Sequence, residues 1–279
     1  MATVLAVTNQ KGGVGKTTTS INLAAALALG GRSCLLIDLD PQGNASSGVG
    51  VPPDQRELDI YRALLGEIEL EQAVHETAIT NLHLVPASSE LIGAEVELVG
   101  IYERNRKLLS ILEPLLKRYE YVLIDCPPSL GLLTVNALVA AQGVLIPLQA
   151  EYYAMEGLSQ LTHTIDVVRT GLNPGLEISG IVITLFDTRN TICHQVEAEV
   201  RRYFDQAVMQ TKIPRNVRLA EAPSHGLPIF LYDVKCSGAA AYLELSRELV
   251  RRTRRPAAKA RTGGAATDSA ALAAGEAGR

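Results

Sequence analysis

A glycine-rich loop near the amino terminus constrains the fold of this chain more than any other segment. The loop reads Lys11-Gly12-Gly13-Val14-Gly15-Lys16-Thr17-Thr18, with an apolar run over residues 3–8 before it and a helical pattern over residues 17–29 after it. Glycines let backbone N–H groups turn inward without a Cβ clash, and a helix amino terminus attracts anions. The order of strand, glycine loop and helix predicts a phosphate-binding loop.

Two side chains of this loop suit Mg-ATP. We expect Lys16 to reach the β- and γ-phosphates as a point charge and the Thr17 hydroxyl to ligate Mg²⁺. Lys11, at the head of the loop, would repel Lys16 unless an anion lies between them. The pair of lysines therefore suggests that Lys11 neutralises nucleotide charge, in the manner of an arginine finger supplied by the partner of a dimer.

Three carboxylates follow predicted strands, at the edge where open α/β sheets bind ligands. Asp125 ends the run at residues 121–124 and is expected to hold Mg²⁺ through water. Asp38 and Asp40 end the second strand. Asp40 precedes a polar loop and is the candidate to position the attacking water. It is also expected, with Thr17 and Asp125, to belong to the Mg²⁺ site. For Asp38, helix capping or a solvated loop is a serious alternative.

Apolar runs alternate with helical patterns along the chain. The runs cover residues 34–37, 82–85, 121–124, 144–148 and 178–185, and the later helices are predicted over 103–117, 132–141, 157–169, 193–204 and 239–252. This alternation predicts an α/β fold with a doubly wound, mostly parallel sheet and helices on both faces. A single P-loop NTPase domain is expected over residues 1–255. The Ala/Gly-rich tail, 256–279, is expected to be disordered.

Composition narrows the classes of function. No apolar run reaches 18 residues and no signal-peptide pattern precedes the first strand, so no membrane segment is expected. Four cysteines without C-x-x-C spacing favour a reducing cytoplasm. Residues 1–185 carry 11 basic and 20 acidic side chains, whereas residues 186–255 carry 12 and 8. This asymmetry suggests an anionic partner for the carboxyl-terminal part.

Four segments in order resemble one family. Besides the loop, they are Asp38-Leu39-Asp40-Pro41-Gln42-Gly43-Asn44, Asp125-Cys126-Pro127-Pro128-Ser129 and Ile213-Pro214-Arg215-Asn216-Val217-Arg218-Leu219-Ala220-Glu221-Ala222-Pro223-Ser224. The first three resemble the deviant Walker A ATPases, and the last is similar to their chromosome-partitioning ParA/Soj branch. The resemblance runs from about residue 3 to about residue 250, so only the tail lies outside it.

This resemblance implies an ATP-dependent homodimer in which Lys11 reaches the partner's phosphates. It implies weak ATP hydrolysis, stimulated by a ParB/Spo0J-like centromere-binding protein, and non-specific binding of double-stranded DNA by a cytoplasmic, nucleoid-associated dimer. Pro214 and Asn216 match the adenine-contacting loop of the family. Arg189 and Arg218 match positions associated with DNA, a role that suits arginine because phosphate contacts need charge rather than base hydrogen bonds.

Four other classes of protein share part of this sequence pattern. A MinD-like membrane-cycling ATPase would need a carboxyl-terminal amphipathic helix, which residues 262–266 do not provide. A small-molecule ligase or kinase would need its own acid or base, and the five histidines are scattered. An iron–sulfur reductase would need a companion for Cys126, which is interpreted as a core residue. An orphan ParA that positions another cargo stays open.

Overall fold

The protein is described by a computed structural model over residues 2–151 and 153–253. Its sheet consists of β1 (Thr3–Val7), β2 (Cys34–Asp38), β3 (His75–Glu76), β4 (Leu82–Val85), β5 (Tyr121–Asp125), β6 (Gly143–Gln149) and β7 (Glu177–Thr184). Within the described residues the order is β3-β4-β2-β5-β1-β6-β7, and only the pairing of β3 with β4 is antiparallel. The doubly wound parallel sheet predicted from the sequence is confirmed.

Helices cover both faces of this sheet. They are α1 (Lys16–Leu29), α2 (Asn44–Gly48), α3 (Ile60–Leu65), α4 (Leu91–Glu97), α5 (Lys107–Leu112), α6 (Leu132–Ala140), α7 (Ala154–Gly171), α8 (Thr191–Phe204), α9 (Val217–Glu221), α10 (Ile229–Tyr232) and α11 (Ser237–Thr253). Short 3₁₀ turns connect several of them. The tail predicted to be disordered, 256–279, lies outside the described residues.

Strand β1 shows why the sheet is buried on both sides. Val4 and Ala6 point into one apolar cluster, with α3 to α8, whereas Leu5 and Val7 point into the other, with α1 and α11. Successive side chains of a strand face opposite sides of the sheet, so a strand covered on both faces is apolar throughout. This explains why the strand sequences are continuous apolar runs rather than alternating ones.

The prediction of one helix over residues 103–117 was wrong. The segment divides into a 3₁₀ turn (Arg104–Arg106), α5 and a second 3₁₀ turn (Glu113–Lys117). Glu103 has a φ of 55°, in the left-handed region, which is incompatible with a helix at that residue. Pro114, in the first turn of the last piece, has no N–H to donate and disrupts a continuing α-helix.

Several small elements were not predicted, among them helices α2, α4, α9 and α10 and strand β3. Helix α2 lies in a segment that the sequence describes only as a polar loop, and β3 consists of two residues paired to β4. Each of these elements has seven residues or fewer, which is too short to show a clear periodicity. The other predicted helices and strands exist, with ends shifted by up to three residues.

Candidate functional site

The phosphate-binding loop lies between the end of β1 and the start of α1, at the carboxyl edge of the sheet. Gly13 and Gly15 have φ of 74° and 86°, and Gly15 is the residue that precedes the helix. A side chain at either position would be strained, because this left-handed region is readily accessible only to glycine. A Cβ on Gly12 would meet no atom within 4 Å, so the loop surrounds open space there.

Two side chains near the ends of strands β1 and β7 hold this loop in place. Asn9 donates from Nδ2 to the Pro147 carbonyl at 2.8 Å and accepts from the Lys11 N–H at 3.0 Å. Thr184, the last residue of β7, donates from Oγ1 to the Val14 carbonyl at 2.7 Å. Sequence reasoning missed Asn9 and Thr184, although a polar residue at the end of an apolar strand is a usable signal.

Lys16 points back across the loop. Its Nζ donates to the Lys11 carbonyl at 3.0 Å, and the residue is only 7% exposed. Burial lowers the pKa of Lys16, whereas Asp125 and Asp40 act in the opposite direction. An ammonium group thus lies inside the loop with few neutralising partners, which is an environment that favours a bound anion.

Asp125 ends β5 beneath the first turn of α1. Its Oδ2 accepts from the Thr17 hydroxyl at 2.8 Å and its Oδ1 from the Ser20 hydroxyl at 2.7 Å. Burial, and secondarily the neighbouring Asp38, raise the pKa of Asp125 to about 7. The structure therefore brings together the predicted pair Thr17 and Asp125. Ser20 was missed, although it follows Thr17 by three positions on the same helix face.

Asp38 and Asp40 have different surroundings. Asp38 is fully buried, and its Oδ2 accepts from the N–H and the hydroxyl of Ser46 at 2.8 and 2.7 Å. Burial raises the pKa of Asp38 to about 6. Because Ser46 lies in the first turn of α2, Asp38 caps that helix from the sheet. The capping alternative for Asp38 is confirmed and the solvated-loop alternative is wrong.

Asp40 lies closer to the surface of the site, at 8% exposure. Its Oδ1 accepts from the Gln42 N–H at 3.0 Å, so one carboxylate oxygen shapes the turn that leads into α2. The buried guanidinium of Arg56 supports this turn by donating to the Val51 and Ala87 carbonyls. Arg56 was not identified from the sequence. Its partners lie up to 31 residues away, and only the fold brings them to it.

Lys11 points away from Lys16 and forms an ion pair with Glu151. Glu151 follows β6 and also accepts from the Gln149 side chain. The Lys11 side chain is 42% exposed, so its ammonium group is accessible from the carboxyl edge of the sheet. Glu151 was missed because nothing in its local sequence connects it with a residue 140 positions earlier.

Pro214 and Asn216 follow a short extension of the sheet beyond β7. Pro214 bridges in parallel to Phe186, next to a hydrogen bond from the Phe186 N–H to the Ile213 carbonyl at 2.9 Å. Asn216 caps α9 by accepting from the Arg218 N–H at 2.9 Å. The predicted adenine loop thus lies beside the segment that extends β7, the strand whose last residue, Thr184, holds the phosphate loop.

Both predicted DNA-contacting arginines are exposed and paired. Arg189 donates to both carboxylate oxygens of Asp187, at 3.0 and 2.9 Å, and these bonds lower the pKa of Asp187 to about 2. Arg218 pairs with Glu221 at 2.9 Å and lies 3.5 Å from Asp233. The arginines lie on neighbouring segments, since the Arg215 N–H donates to the Phe186 carbonyl at 3.0 Å.

Two observations bear on the rival classes. Within residues 2–151 and 153–253, no helix is long and apolar enough to cross a bilayer. Cys126 is fully buried in the core cluster that contains α6 and α7, and burial raises the pKa of its thiol. The interpretation of Cys126 as a core residue is confirmed.

This chain is similar in sequence to known proteins over most of its length. A domain-family profile described as an AAA domain matches residues 2–178. A chromosome partitioning protein ParA from Myxococcus xanthus is 57% identical over 89% of this chain and 88% of its own length. The sporulation initiation inhibitor protein Soj from Bacillus subtilis is 50% identical over 89% of this chain and 98% of its own length.

A solved structure is similar as well. The cobyrinic acid a,c-diamide synthase from Mycobacterium smegmatis, with bound ADP and magnesium, superposes with a TM-score of 0.81. It is 38% identical and covers 91% of this chain and 96% of its own.

Proposed function

The chain belongs to the ParA/Soj family of chromosome-partitioning ATPases, and from that premise we propose that it is an ATP-driven switch between a monomer and a DNA-binding dimer. ATP and Mg²⁺ are its cofactors. The observation that carries the proposal is the pair of lysines on one loop. Lys16 is turned into the loop, and Lys11 is turned outward to an exposed ion pair. Lys16 already lies inside the loop, so the outward charge of Lys11 is available to a nucleotide bound by a second subunit.

The described residues fit a magnesium nucleotide. Lys16 is a buried ammonium group inside a cradle of backbone N–H groups, so its charge binds the phosphates. Thr17 and Asp125 are the oxygen ligands for Mg²⁺, Asp125 through water, and the metal neutralises phosphate charge when bound. Pro214 and Asn216 contact the adenine from the loop beyond β7.

Asp40 positions the water that attacks the terminal phosphate. It is the carboxylate of this edge that keeps partial exposure, whereas Asp38 is fully buried. An oxygen not required by the Gln42 N–H is available to orient a water molecule. We assign Asp38 the separate task of holding α2 and the Asp40 turn in place.

Lys11 completes the site of the partner subunit in the dimer. In the monomer Glu151 holds its ammonium group in place. We expect Lys11→Ala to keep monomeric ATP binding while the ATP-dependent dimer weakens by about tenfold or more, since one charged contact per site is lost. Sedimentation velocity with a non-hydrolysable ATP analogue measures this.

Glu151→Ala is the matched variant for the same experiment. It removes the intramolecular partner and leaves the lysine, so we expect equal or stronger dimerisation. Unchanged dimerisation in Lys11→Ala contradicts the role of this lysine across the interface.

DNA binding is assigned to the surface around Arg189 and Arg218. Their ion pairs are exposed, and exposed ion pairs contribute little to stability, so phosphates can replace the carboxylates at small cost. Dimerisation doubles the surface, which makes the binding ATP-dependent. Each phosphate contact releases counterions and makes affinity fall with salt.

We expect Arg218→Glu and Arg189→Glu to weaken ATP-dependent binding to all duplex sequences alike, with a salt slope lower by about one unit per lost contact. ATP turnover without DNA should barely change. Fluorescence anisotropy over a salt series measures the effect. Arg118→Glu is the control, because Arg118 is also an exposed, paired arginine but lies beside the start of β5. Unaltered DNA retention in both variants would leave the end of α11, Arg251 and Arg252, as the next candidate.

The cellular role follows from this cycle. The dimer binds the nucleoid, and a ParB/Spo0J-like partner stimulates ATP hydrolysis and releases it. Chromosome partitioning is the proposed task, and another cargo is the alternative. Imaging of the tagged protein tests this, since loss of nucleoid association in Lys16→Ala and arrested origin segregation on deletion are expected. Normal segregation on deletion would favour the other cargo.

A further inference from the structure

Helix α4 and the 3₁₀ turn that follows it, Leu98–Gly100, have a buried face and an exposed face that are both apolar. On the buried face, Leu91, Ala94 and Leu98 are fully buried and belong to the same core cluster as α3 and α6. These positions are spaced at three and four residues, which places them on one side of a helix. The core therefore already accounts for one complete face of this element.

The opposite face carries four large apolar side chains in the open. Ile92, Val96, Val99 and Tyr102 are 63%, 75%, 56% and 90% exposed. The first three are spaced by four and three residues, so they line up on one helix face. Tyr102 lies just beyond the end of the turn, after the extended residue Ile101. We refer to these four residues as the α4 stripe.

An exposed apolar face of this kind is unusual for a helix packed on a sheet. Such a helix normally directs polar side chains outward, and a helix that is apolar on all sides is normally buried. Single exposed apolar residues need no explanation, but an aligned group rimmed by charge is characteristic of an interaction site. The α4 stripe is therefore not part of the core, and its exposure is typical of a surface that binds another protein segment.

The rim of the α4 stripe is acidic. Residues 90–103 include the four carboxylates Glu90, Glu95, Glu97 and Glu103. The next residue, Arg104, donates to the Val99 carbonyl at 2.7 Å, so one positive charge also borders the stripe and the carboxylates outnumber it. Glu97 accepts from the Tyr61 hydroxyl at 3.0 Å, and this hydrogen bond raises the pKa of that phenol, with smaller contributions in the same direction from burial and from the charges of Glu97, Glu67 and Glu90. The surface around the stripe is thus a local concentration of negative charge.

We propose that the α4 stripe is the docking surface for a short helical segment of a partner protein, with large apolar side chains on one face and lysine or arginine beside them. The apolar contacts supply affinity, and the acidic rim selects a basic segment and its orientation. The stripe contains none of the residues assigned to the nucleotide or to DNA, although Glu95 of its rim lies against Gly131, in the segment that follows Asp125. Its test therefore stands or falls independently of those assignments.

Two other occupants fit less well. A second copy of this chain would bring one acidic rim against another across a twofold axis, and like charges oppose that contact. Residues 254–279 of the same chain are basic, but Leu272 is their single large apolar residue. A segment of that composition cannot cover four apolar side chains.

The probe is a synthetic helical peptide of about 14 residues, roughly four turns, with leucine on one face and lysine elsewhere. A second peptide has glutamate in place of lysine. We measure binding of the full-length, nucleotide-free protein by fluorescence anisotropy. We expect the lysine peptide to bind about tenfold more tightly than the glutamate peptide, with the difference falling as salt rises.

Substitutions locate the binding. The double variant Val96→Ser with Tyr102→Ser should bind the lysine peptide about tenfold more weakly. Glu90→Gln with Glu95→Gln should reduce the preference for lysine over glutamate. The matched control is Val167→Ser with Tyr203→Ser, on α7 and α8, where the side chains are 58% and 65% exposed, and it should bind as the wild type does. Circular dichroism melting checks that every variant is folded.

Three results would overturn the proposal. Equal binding of the two peptides would show that charge does not select the partner. Equal weakening by the control variant would show that the peptide does not bind at the α4 stripe. Nucleotide-independent self-association that disappears in Val96→Ser with Tyr102→Ser, seen by sedimentation, would show that a second copy covers the stripe.

Discussion

Lys16→Ala is expected to lose ATP binding, with an affinity about thirtyfold to several thousandfold lower. The ammonium group lies inside the phosphate loop at 7% exposure, and its hydrogen bond goes to the Lys11 carbonyl rather than to a carboxylate. Removing one partner of a buried charged contact costs about 2–5 kcal/mol, and every 1.4 kcal/mol is about a factor of ten. Isothermal titration calorimetry with Mg-ATP measures the change.

The control for this experiment is Lys117→Ala. Lys117 is an exposed lysine at the opposite, amino-terminal edge of the sheet, so ATP affinity should be unchanged. Thermal unfolding without nucleotide shows whether Lys16→Ala still folds. A folded Lys16→Ala protein that binds ATP like the wild type would remove the phosphate-loop assignment.

Asp40→Asn is expected to bind ATP and dimerise like the wild type but to hydrolyse ATP about 10²- to 10⁴-fold more slowly, the range associated with loss of a positioned general base. The amide oxygen still accepts from the Gln42 N–H, so the turn is kept while the carboxylate charge is lost. ADP should therefore accumulate slowly and the dimer should persist on a sizing column. Single-turnover phosphate release measures the rate.

Asp40→Ala extends the comparison, since it removes the hydrogen bond to the turn as well. Asp54→Ala, at an exposed carboxylate in the following segment, is the control and should hydrolyse ATP normally. Normal turnover in Asp40→Asn together with a lower melting temperature in Asp40→Ala would make Asp40 a structural residue of the turn.

The phosphate loop shows how much of a site local sequence can contain. Gly13 and Gly15 adopt left-handed backbone conformations that glycine permits readily because it lacks a Cβ. Lys16 and Thr17 are the first two residues of α1, so the helix itself fixes their positions. All the information for this part is contiguous. Asp125 was predicted for a related reason, because parallel strands bring their carboxyl ends to one edge of the sheet.

Local patterns failed where elements are short. Helix α2 depends on the Asp38 carboxylate, which reaches the Ser46 N–H from the end of β2. This helix has only five residues, too few to show a helical periodicity in the sequence. The break in the predicted helix had a visible signal, Pro114 itself. The apolar residues on either side of it keep a helical spacing, and this spacing led to the prediction of one continuous helix.

The amino-acid sequence by itself determined the glycine loop, its two lysines, the parallel sheet and the strand-end carboxylates, because each follows from neighbouring residues or a regular repeat. Only the tertiary structure decided what each charge faces. Lys11 meets Glu151, Asp125 meets Ser20, and Thr184 meets the loop across 170 positions. The exposed apolar face of α4 could not be predicted either. An apolar pattern in the sequence does not show which of the apolar side chains the fold buries and which it leaves exposed.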